Sequence, residues 1–477
     1  MSDITRRQFL KRAGCASLSG GALLAGFNSF SLMSAFAEPA DPNDPNDYKA
    51  LVCVFLFGGN DANNMVVPYD DYAQYAAVRG GAAFAIPQEQ LLRVLPRGDG
   101  RAFGLHPNMG RLHAVWDQGA LAVVANVGTL VEPLTRTRYL AGAPRPRQLF
   151  SHADQQQQYQ TSFSTASARS GWGGRIAERL RAAESFPLVT SVNGVHIFAA
   201  GERTSPLVIS PAPTALDGAL RLTSADPGIE ALLVLDGAGG MPALVGATSA
   251  VARQALANSR ALSTDPVIAT PFPNTGLGNQ LKQVAKLISL RAGLGLRRQV
   301  FFTSLGSFDT HTGQLAGQGA LLTQLSDAMA AFYGATQELG VVNQVTSFTL
   351  SDFSRTFKPG GGLTGTDHAW GSHQLVMGGD VLGGDFYGSY PVLALEGPDD
   401  TDTGTGARGR WIPTTSVEQY GATLAKWFGV GPADQALVFP AVDRFATADL
   451  GLLRSPHRCA SPSEFAACRK AGSWAPP

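Results

Sequence analysis

Charge is scarce in this chain of 477 residues, where Asp, Glu, Lys and Arg together make up only 16%. No basic run and no cationic patch interleaved with aromatics occurs, so nucleic acid is excluded as an expected partner. Cysteine is sparser still, at four residues, and the spacing of Cys459 and Cys468 fits no metal knuckle. The chain has no internal repeat. It also lacks a G-x-S-x-G elbow, an H-E-x-x-H helix, a G-x-x-x-x-G-K-[ST] loop and a G-x-G-x-x-G after a strand, which leaves cysteine-based and nucleotide-based chemistry without support. Pro359-Gly360-Gly361-Gly362 resembles a phosphate cradle, but no Lys-Ser/Thr pair follows it. It is expected to form a flexible lid near His368.

What is present begins at the N-terminus. Thr5-Arg6-Arg7-Gln8-Phe9-Leu10-Lys11 reads as a twin-arginine export motif. A weakly apolar stretch from Ala16 to Met33 follows, and then Ala35-Phe36-Ala37 before Glu38 as an A-x-A cleavage site. Gly14, Gly20, Gly21, Gly26 and Asn28 dilute that stretch below the roughly 20 apolar residues a membrane span needs. The expectation is a leader over residues 1–37 that engages the twin-arginine export machinery and is cleaved, leaving no transmembrane anchor and a periplasmic or secreted product. Cys15 has no lipobox ahead of it, so lipidation is not expected. The whole chain carries a formal net charge of +0, and the leader's excess of cations leaves the mature protein at about −3. An oxidising destination predicts a Cys459–Cys468 disulfide in the Pro/Ser-rich tail. Cys53, inside an apolar run, reads as an inert core thiol.

Residues 38–47, with Asp41-Pro42-Asn43-Asp44-Pro45-Asn46, form a stiff polar linker, and the folded domain is expected over 48–477. Ala50 to Phe57 is an unbroken apolar run ending at Gly58-Gly59-Asn60-Asp61, which predicts a strand buried on both faces and opening into a loop. Ala120 to Val127, Gln299 to Thr303 and Val345 to Leu350 behave alike. Leu281, Val284, Ala285 and Ile288 follow helical spacing, as do Leu322, Leu325, Met329 and Phe332. Strands alternating with helices predict an α/β fold with a mainly parallel sheet sandwiched between helices, in which the strands beginning near Ala50, Gln299 and Val345 lie side by side. The Pro-, Gly-, Ser- and Ala-rich stretch from about 195 to 275 reads as an inserted subdomain outside that sheet. The run Gln155 to Gln158 reads as a solvated helix face.

In open α/β sheets ligands bind at the carboxyl ends of the strands. Asp61, Asp309 with His311, and Asp352 each stand at such an end, and His368 lies in the glycine-flanked loop Gly365-Thr366-Asp367-His368-Ala369-Trp370-Gly371. Carboxylates and imidazoles converging from several strand ends make a ligand set for a divalent cation: zinc, manganese, calcium or magnesium, one ion or two. Each Asp alone is more often a helix cap or turn former than a ligand, and only the joint placement brings the metal reading level. His311, two residues from Asp309, would share its face in extended backbone. His373 reads as a group behind the ligands or on the surface, and His106, His113, His196 and His457 as packing or surface residues.

Phe57-Gly58-Gly59-Asn60-Asp61-Ala62-Asn63-Asn64, Phe150-Ser151-His152-Ala153-Asp154, Ser170-Gly171-Trp172-Gly173-Gly174-Arg175, Phe308-Asp309-Thr310-His311, Ser351-Asp352-Phe353-Ser354-Arg355-Thr356 and the His368 loop together resemble the motif set of a bacterial family. Its members are twin-arginine-exported proteins of unknown function, grouped distantly with the alkaline phosphatase and sulfatase superfamily. The resemblance spans nearly the whole mature chain. It implies a two-metal site at the strand ends, with Asp61 and Asp352 at one ion and Asp309, His311 and His368 at the other. It further implies Ser151 as a candidate nucleophile, and His152 or Arg175 as a holder of an anionic substrate group. The chain departs from the superfamily pattern at Phe353, where an imidazole is the rule, and in the short Asp309-Thr310-His311 spacing.

Two functions follow as expectations. One is a metal-dependent hydrolase of phosphate or sulfate esters acting on an anionic ester substrate. The other is a secreted binding or assembly protein on the same fold without catalysis, favoured by Phe353.

Overall fold

The computed structural model describes residues 47–80, 84–98, 100–180, 186–218, 243–360 and 364–454. The leader, the linker up to residue 46, the glycines at 361–362 and the Cys459–Cys468 pair lie outside the described residues.

Twelve strands appear in chain order among the described residues: β1 (Lys49–Leu56), β2 (Val66–Pro68), β3 (Leu92–Val94), β4 (Phe103–Leu105), β5 (Leu121–Gly128), β6 (Val189–Ser191), β7 (Leu207–Val208), β8 (Arg298–Leu305), β9 (Val345–Ser351), β10 (Ser372–Met377), β11 (Asp385–Tyr387) and β12 (Thr415–Ser416). The helices that bear on the site are α1 (Ala62–Met65), α2 (His152–Thr161), α3 (Trp172–Leu180), α4 (Gly276–Ser289), α5 (Gln314–Glu338) and α6 (Val417–Phe428).

Nine of the strands form one sheet in the order β11-β5-β10-β9-β1-β8-β6-β7, with β12 also on β5. β10 is antiparallel to both of its neighbours, and every other pairing is parallel. The fold is therefore α/β with a mainly parallel sheet. β1 lies at its centre, flanked by β8 and β9 as the apolar runs predict. All residues of β1 from Ala50 to Leu56 are buried, which requires cover on both faces. The helical stripes Leu281/Val284/Ala285/Ile288 and Leu322/Leu325/Met329/Phe332 are buried on α4 and α5, which pack against each other. α3 and α4 pack on β8, and α6 on β1 and β5. Cys53 is a buried free thiol within this core.

Two expectations are corrected. Leu207–Val208, inside the stretch expected to stand outside the sheet, pairs with β6 as an edge strand; its apolar dipeptide closes the sheet beyond the short β6. The glutamine run is no solvated face: Gln155 and Gln158 are buried on α2, where Gln155 Oε1 accepts from Thr129 and its Nε2 donates to Gln158.

Register is what positions the site. Leu56 of β1 stands level with Leu305 of β8 and Ser351 of β9, so the loops that follow all emerge at one edge. They also touch. Gly58 has φ +110°, and a Cβ there would collide with the backbone of Phe308 and Asp309. Gly59 has φ +80°, and a Cβ would stand 2.5 Å from the Phe353 ring. Only glycine satisfies both the dihedral and the close approach.

Candidate metal centre

Five acidic and imidazole side chains gather at this edge. Asp309 and His311 follow β8, and Asp367 and His368 lie on the loop before β10. That loop is tied to the segment after β9 by a bridge between Arg355 and His368 and by hydrogen bonds from Ser354 N to Trp370 O and from Thr356 N to Asp367 O. His152 is the first residue of α2. His152, Asp309 and His368 form one group able to hold a cation, and His311, Asp367 and His368 form a second, each with its ligand atoms within 4.8 Å of one another.

The hydrogen bonds on the far sides of the rings decide what faces the centre. His368 Nδ1 lies 2.8 Å from the carbonyl oxygen of Phe150, which can only accept, so Nδ1 carries the proton and the neutral ring presents a bare Nε2. His152 Nδ1 lies 2.7 Å from Asp352 Oδ2 and donates to it, which turns its Nε2 toward the same centre. The two Nε2 atoms are 3.0 Å apart, and His311 Nε2 is 3.2 Å from that of His368. Such approaches are met either by a proton shared in an N–H···N hydrogen bond or by a cation held between the rings. Asp309 Oδ1 completes the group at 2.9 Å from His311 Nε2, 3.3 Å from His152 Nε2 and 3.6 Å from His368 Nε2. The edge of a tetrahedron built on zinc bonds of 2.0–2.1 Å is about 3.3 Å, and these five separations, from 2.9 to 3.6 Å, fall around it.

Protonation follows the same geometry. The hydrogen bond to Asp352 raises the His152 pKa above its ordinary value against the opposing effect of burial. Burial lowers that of His368, with the His152 and Arg355 charges adding to it. Burial works to raise the Asp309 carboxyl, but its hydrogen bond and charge pairing with Arg355, together with His152 and His311, hold it below the usual range. The centre is open: the side chains of Asp309 and His311 are 45% and 48% exposed. Behind it, the buried Phe353 ring stacks on His368 and packs against His152, with centroids at 4.9 and 4.8 Å. Where the resemblance expects an imidazole, this chain supplies an apolar wall that fixes two others.

The remaining predicted residues fall elsewhere. Asp61, expected as a ligand, is instead half of a fully buried ion pair, its Oδ2 and Oδ1 taking Arg79 Nη1 at 2.6 Å and Nη2 at 2.9 Å. It also accepts from Gln314 and from Asn63, so protein donors occupy both oxygens. Asp352 likewise accepts from Gly58 N, His152 and Gln156; fully buried, it orients His152. Arg175, expected to hold substrate, is buried with its guanidinium donating to the carbonyls of Val438, Ser170 and Thr161 and the hydroxyls of Ser170 and Ser162. All five N–H groups are used, and no donor remains for an anion. Ser151 caps α2 without a side-chain bond to the helix backbone; its hydroxyl donates to Asp154 Oδ2 at 2.9 Å. His152 joins the imidazoles and does not stand aside as a substrate holder. Asp367 was adjacent to His368 in the sequence and could have been found from that alone.

The described residues thus define an α/β protein with a candidate metal centre. Residues 245–401 match a family described as protein of unknown function (DUF1501); that stretch contains Asp309, His311, Asp352 and His368 but neither Asp61 nor His152. Nothing among curated proteins matches the chain. Solved structures to which it is similar include Ps i-CgsB in complex with k-i-k-neocarrahexaose, at 7% identity over 83% of this chain and 76% of that chain, TM-score 0.33. A 2-O GAG sulfatase shows 10% identity over 82% and 72%, TM-score 0.29. The phosphonate monoester hydrolase of Agrobacterium radiobacter shows 9% over 81% and 74%, TM-score 0.30. At those scores the likeness carries no argument about chemistry, which rests on the side chains described above.

Proposed function

We propose that the chain is an exported, periplasmic or secreted, metal-dependent hydrolase of phosphate or sulfate esters, with His152, His311, His368 and Asp309 holding a divalent ion. The observation that carries this reading is the convergence of His152 Nε2, His368 Nε2 and Asp309 Oδ1 within 3.0 to 3.6 Å of one another, while both Nδ1 atoms face acceptors. Three imidazoles with a single carboxylate favour zinc or manganese over calcium or magnesium. When bound, the ion supplies Lewis-acid charge to an ester's phosphoryl or sulfuryl oxygen. Ser151 stands beside His152 with its hydroxyl donating to Asp154, an arrangement that lets Asp154 Oδ2 receive the proton of an attacking Ser151 Oγ.

Replacing His368 by Ala removes one ligand, and the expected result is loss of bound metal together with turnover of an aryl phosphate or sulfate monoester. Ser151→Ala is expected to keep the metal and lose turnover, with no covalent intermediate trapped. Full metal content and activity in both variants would remove the assignment. A second reading, a metal-holding binding protein without catalysis, is supported by the apolar Phe353 and by the commitment of Asp61 and Asp352 to protein donors. Metal bound at full occupancy with no turnover of either ester class would select it.

A further inference from the structure

We propose that Asp61 serves the ion site from a distance. A buried relay, Arg79–Asp61–Gln314–Thr366–Arg355, aims the Asp309 carboxylate at the imidazoles, and the chain holds one divalent ion there. The inference rests on the metal reading above and adds to it a stoichiometry and two positioning residues, Gln314 and Thr366.

The relay is continuous. Arg79 holds Asp61 through both carboxylate oxygens, and Gln314 Nε2 donates to Asp61 Oδ2. The other end of the same amide, Oε1, accepts from Thr366 Oγ1. Thr366 meets Arg355 twice, its hydroxyl accepting from Nε at 3.4 Å and its carbonyl from Nη2. Arg355 Nη1 then donates to Asp309 Oδ1 at 2.8 Å and to Gly58 O at 3.2 Å. Asp61, Arg79, Gln314, Thr366 and Arg355 are all buried, whereas Asp309 is half exposed. A guanidinium is a planar fork, so fixing two of its sides fixes the third. An exposed carboxylate on a short loop would otherwise sample several rotamers, and the relay holds it in one.

The count of ions follows from what is left over. Asp61 takes protein donors on both oxygens, and Asp352 is buried against Gly58, His152 and Gln156 and stands in neither ligand group. The two remaining ligand groups share His368, whose Nδ1 is committed to Phe150. One free nitrogen serves one ion, so among the described residues the two groups belong to a single site that holds one ion.

The test is isothermal titration of zinc chloride into the full chain after chelator stripping, comparing wild type, Thr366→Val and Thr366→Ser. Valine keeps the shape and the carbonyl and deletes only the hydroxyl. The expected result is one zinc per chain in all three, with affinity about tenfold weaker in Thr366→Val, the lower end of what outer groups contribute, and restored in Thr366→Ser. The melting temperature of the ion-free variants should stay near that of wild type. Should Thr366→Val fail to fold, Gln314→Met breaks the same relay one step earlier and is expected to weaken zinc equally. Two zinc ions per wild-type chain, or unchanged affinity in the folded relay variant, would overturn the inference while leaving the ion reading in place. No zinc bound by wild type would overturn both.

Discussion

Glu418, fully buried in the first turn of α6, carries a pH signature of its own. Burial pushes its carboxyl up to about 8, with the local backbone, Ser416 and Arg444 opposing it only in part. A raised carboxyl contributes its stability below the unfolded value of about 4.3 and loses it as pH rises through about 8. Glu418→Gln should therefore flatten the decline of the melting temperature between pH 5 and 8 and raise it by several degrees at pH 8, as thermal scans across pH would record. An unchanged profile would mean that the carboxyl is not held neutral. The roles of individual site residues were only partly legible in the sequence. Asp309, His311 and His368 declared themselves as polar groups beyond apolar runs. His152 lies 216 positions from His368, and no local pattern encodes that their rings meet. Asp61 misled because a carboxylate at a strand end looks the same whether it binds a metal or an arginine, and its partner Arg79 stands in an unremarked helix end.

At the scale of elements, the loops after β1, β8 and β9 do the positioning, and the glycines of the first loop are their joints. Gly59→Ala meets both a left-handed backbone and the Phe353 ring, whereas Gly80→Ala has φ +75° with nothing within 4 Å. The second should cost about 1 kcal/mol, the price of the dihedral alone. The first should cost about 2–4 kcal/mol, since the ring must also shift, and should weaken zinc because that ring backs His152 and His368. Urea unfolding of the two variants measures the difference; equal costs would show that the loops are not packed as described. β1, β8 and β9 were legible because strands buried on both faces are apolar throughout. β10 was not: Ser372-His373-Gln374 are polar yet buried, with Thr349 Oγ1 donating to Gln374 and accepting from Leu375 N. A bulge between Ser372 and Gln374 also breaks the strand's alternation. Pairing across strands satisfies Gln374 Oε1 and His373 Nδ1 but leaves Ser372 Oγ, His373 Nε2 and Gln374 Nε2 without a partner among the described residues, and a one-dimensional pattern contains none of this.

For the whole molecule, composition and the order of apolar runs were enough for the α/β class and the central trio of strands, while the edge strand β7 escaped because two residues are too few to carry a period. Among the described residues no helix is long and apolar enough to cross a membrane. The central claim is that the sheet's carboxyl edge brings three imidazole nitrogens and one carboxylate oxygen onto one ion. X-ray absorption at the zinc edge, on the full chain loaded with one equivalent of zinc, tests it most directly. The account predicts a first shell of nitrogen and oxygen at about 2.0–2.1 Å with the outer-shell scattering of three imidazoles, reduced to two in His152→Ala. A shell with one imidazole or none, or a spectrum indifferent to His152→Ala, would contradict it.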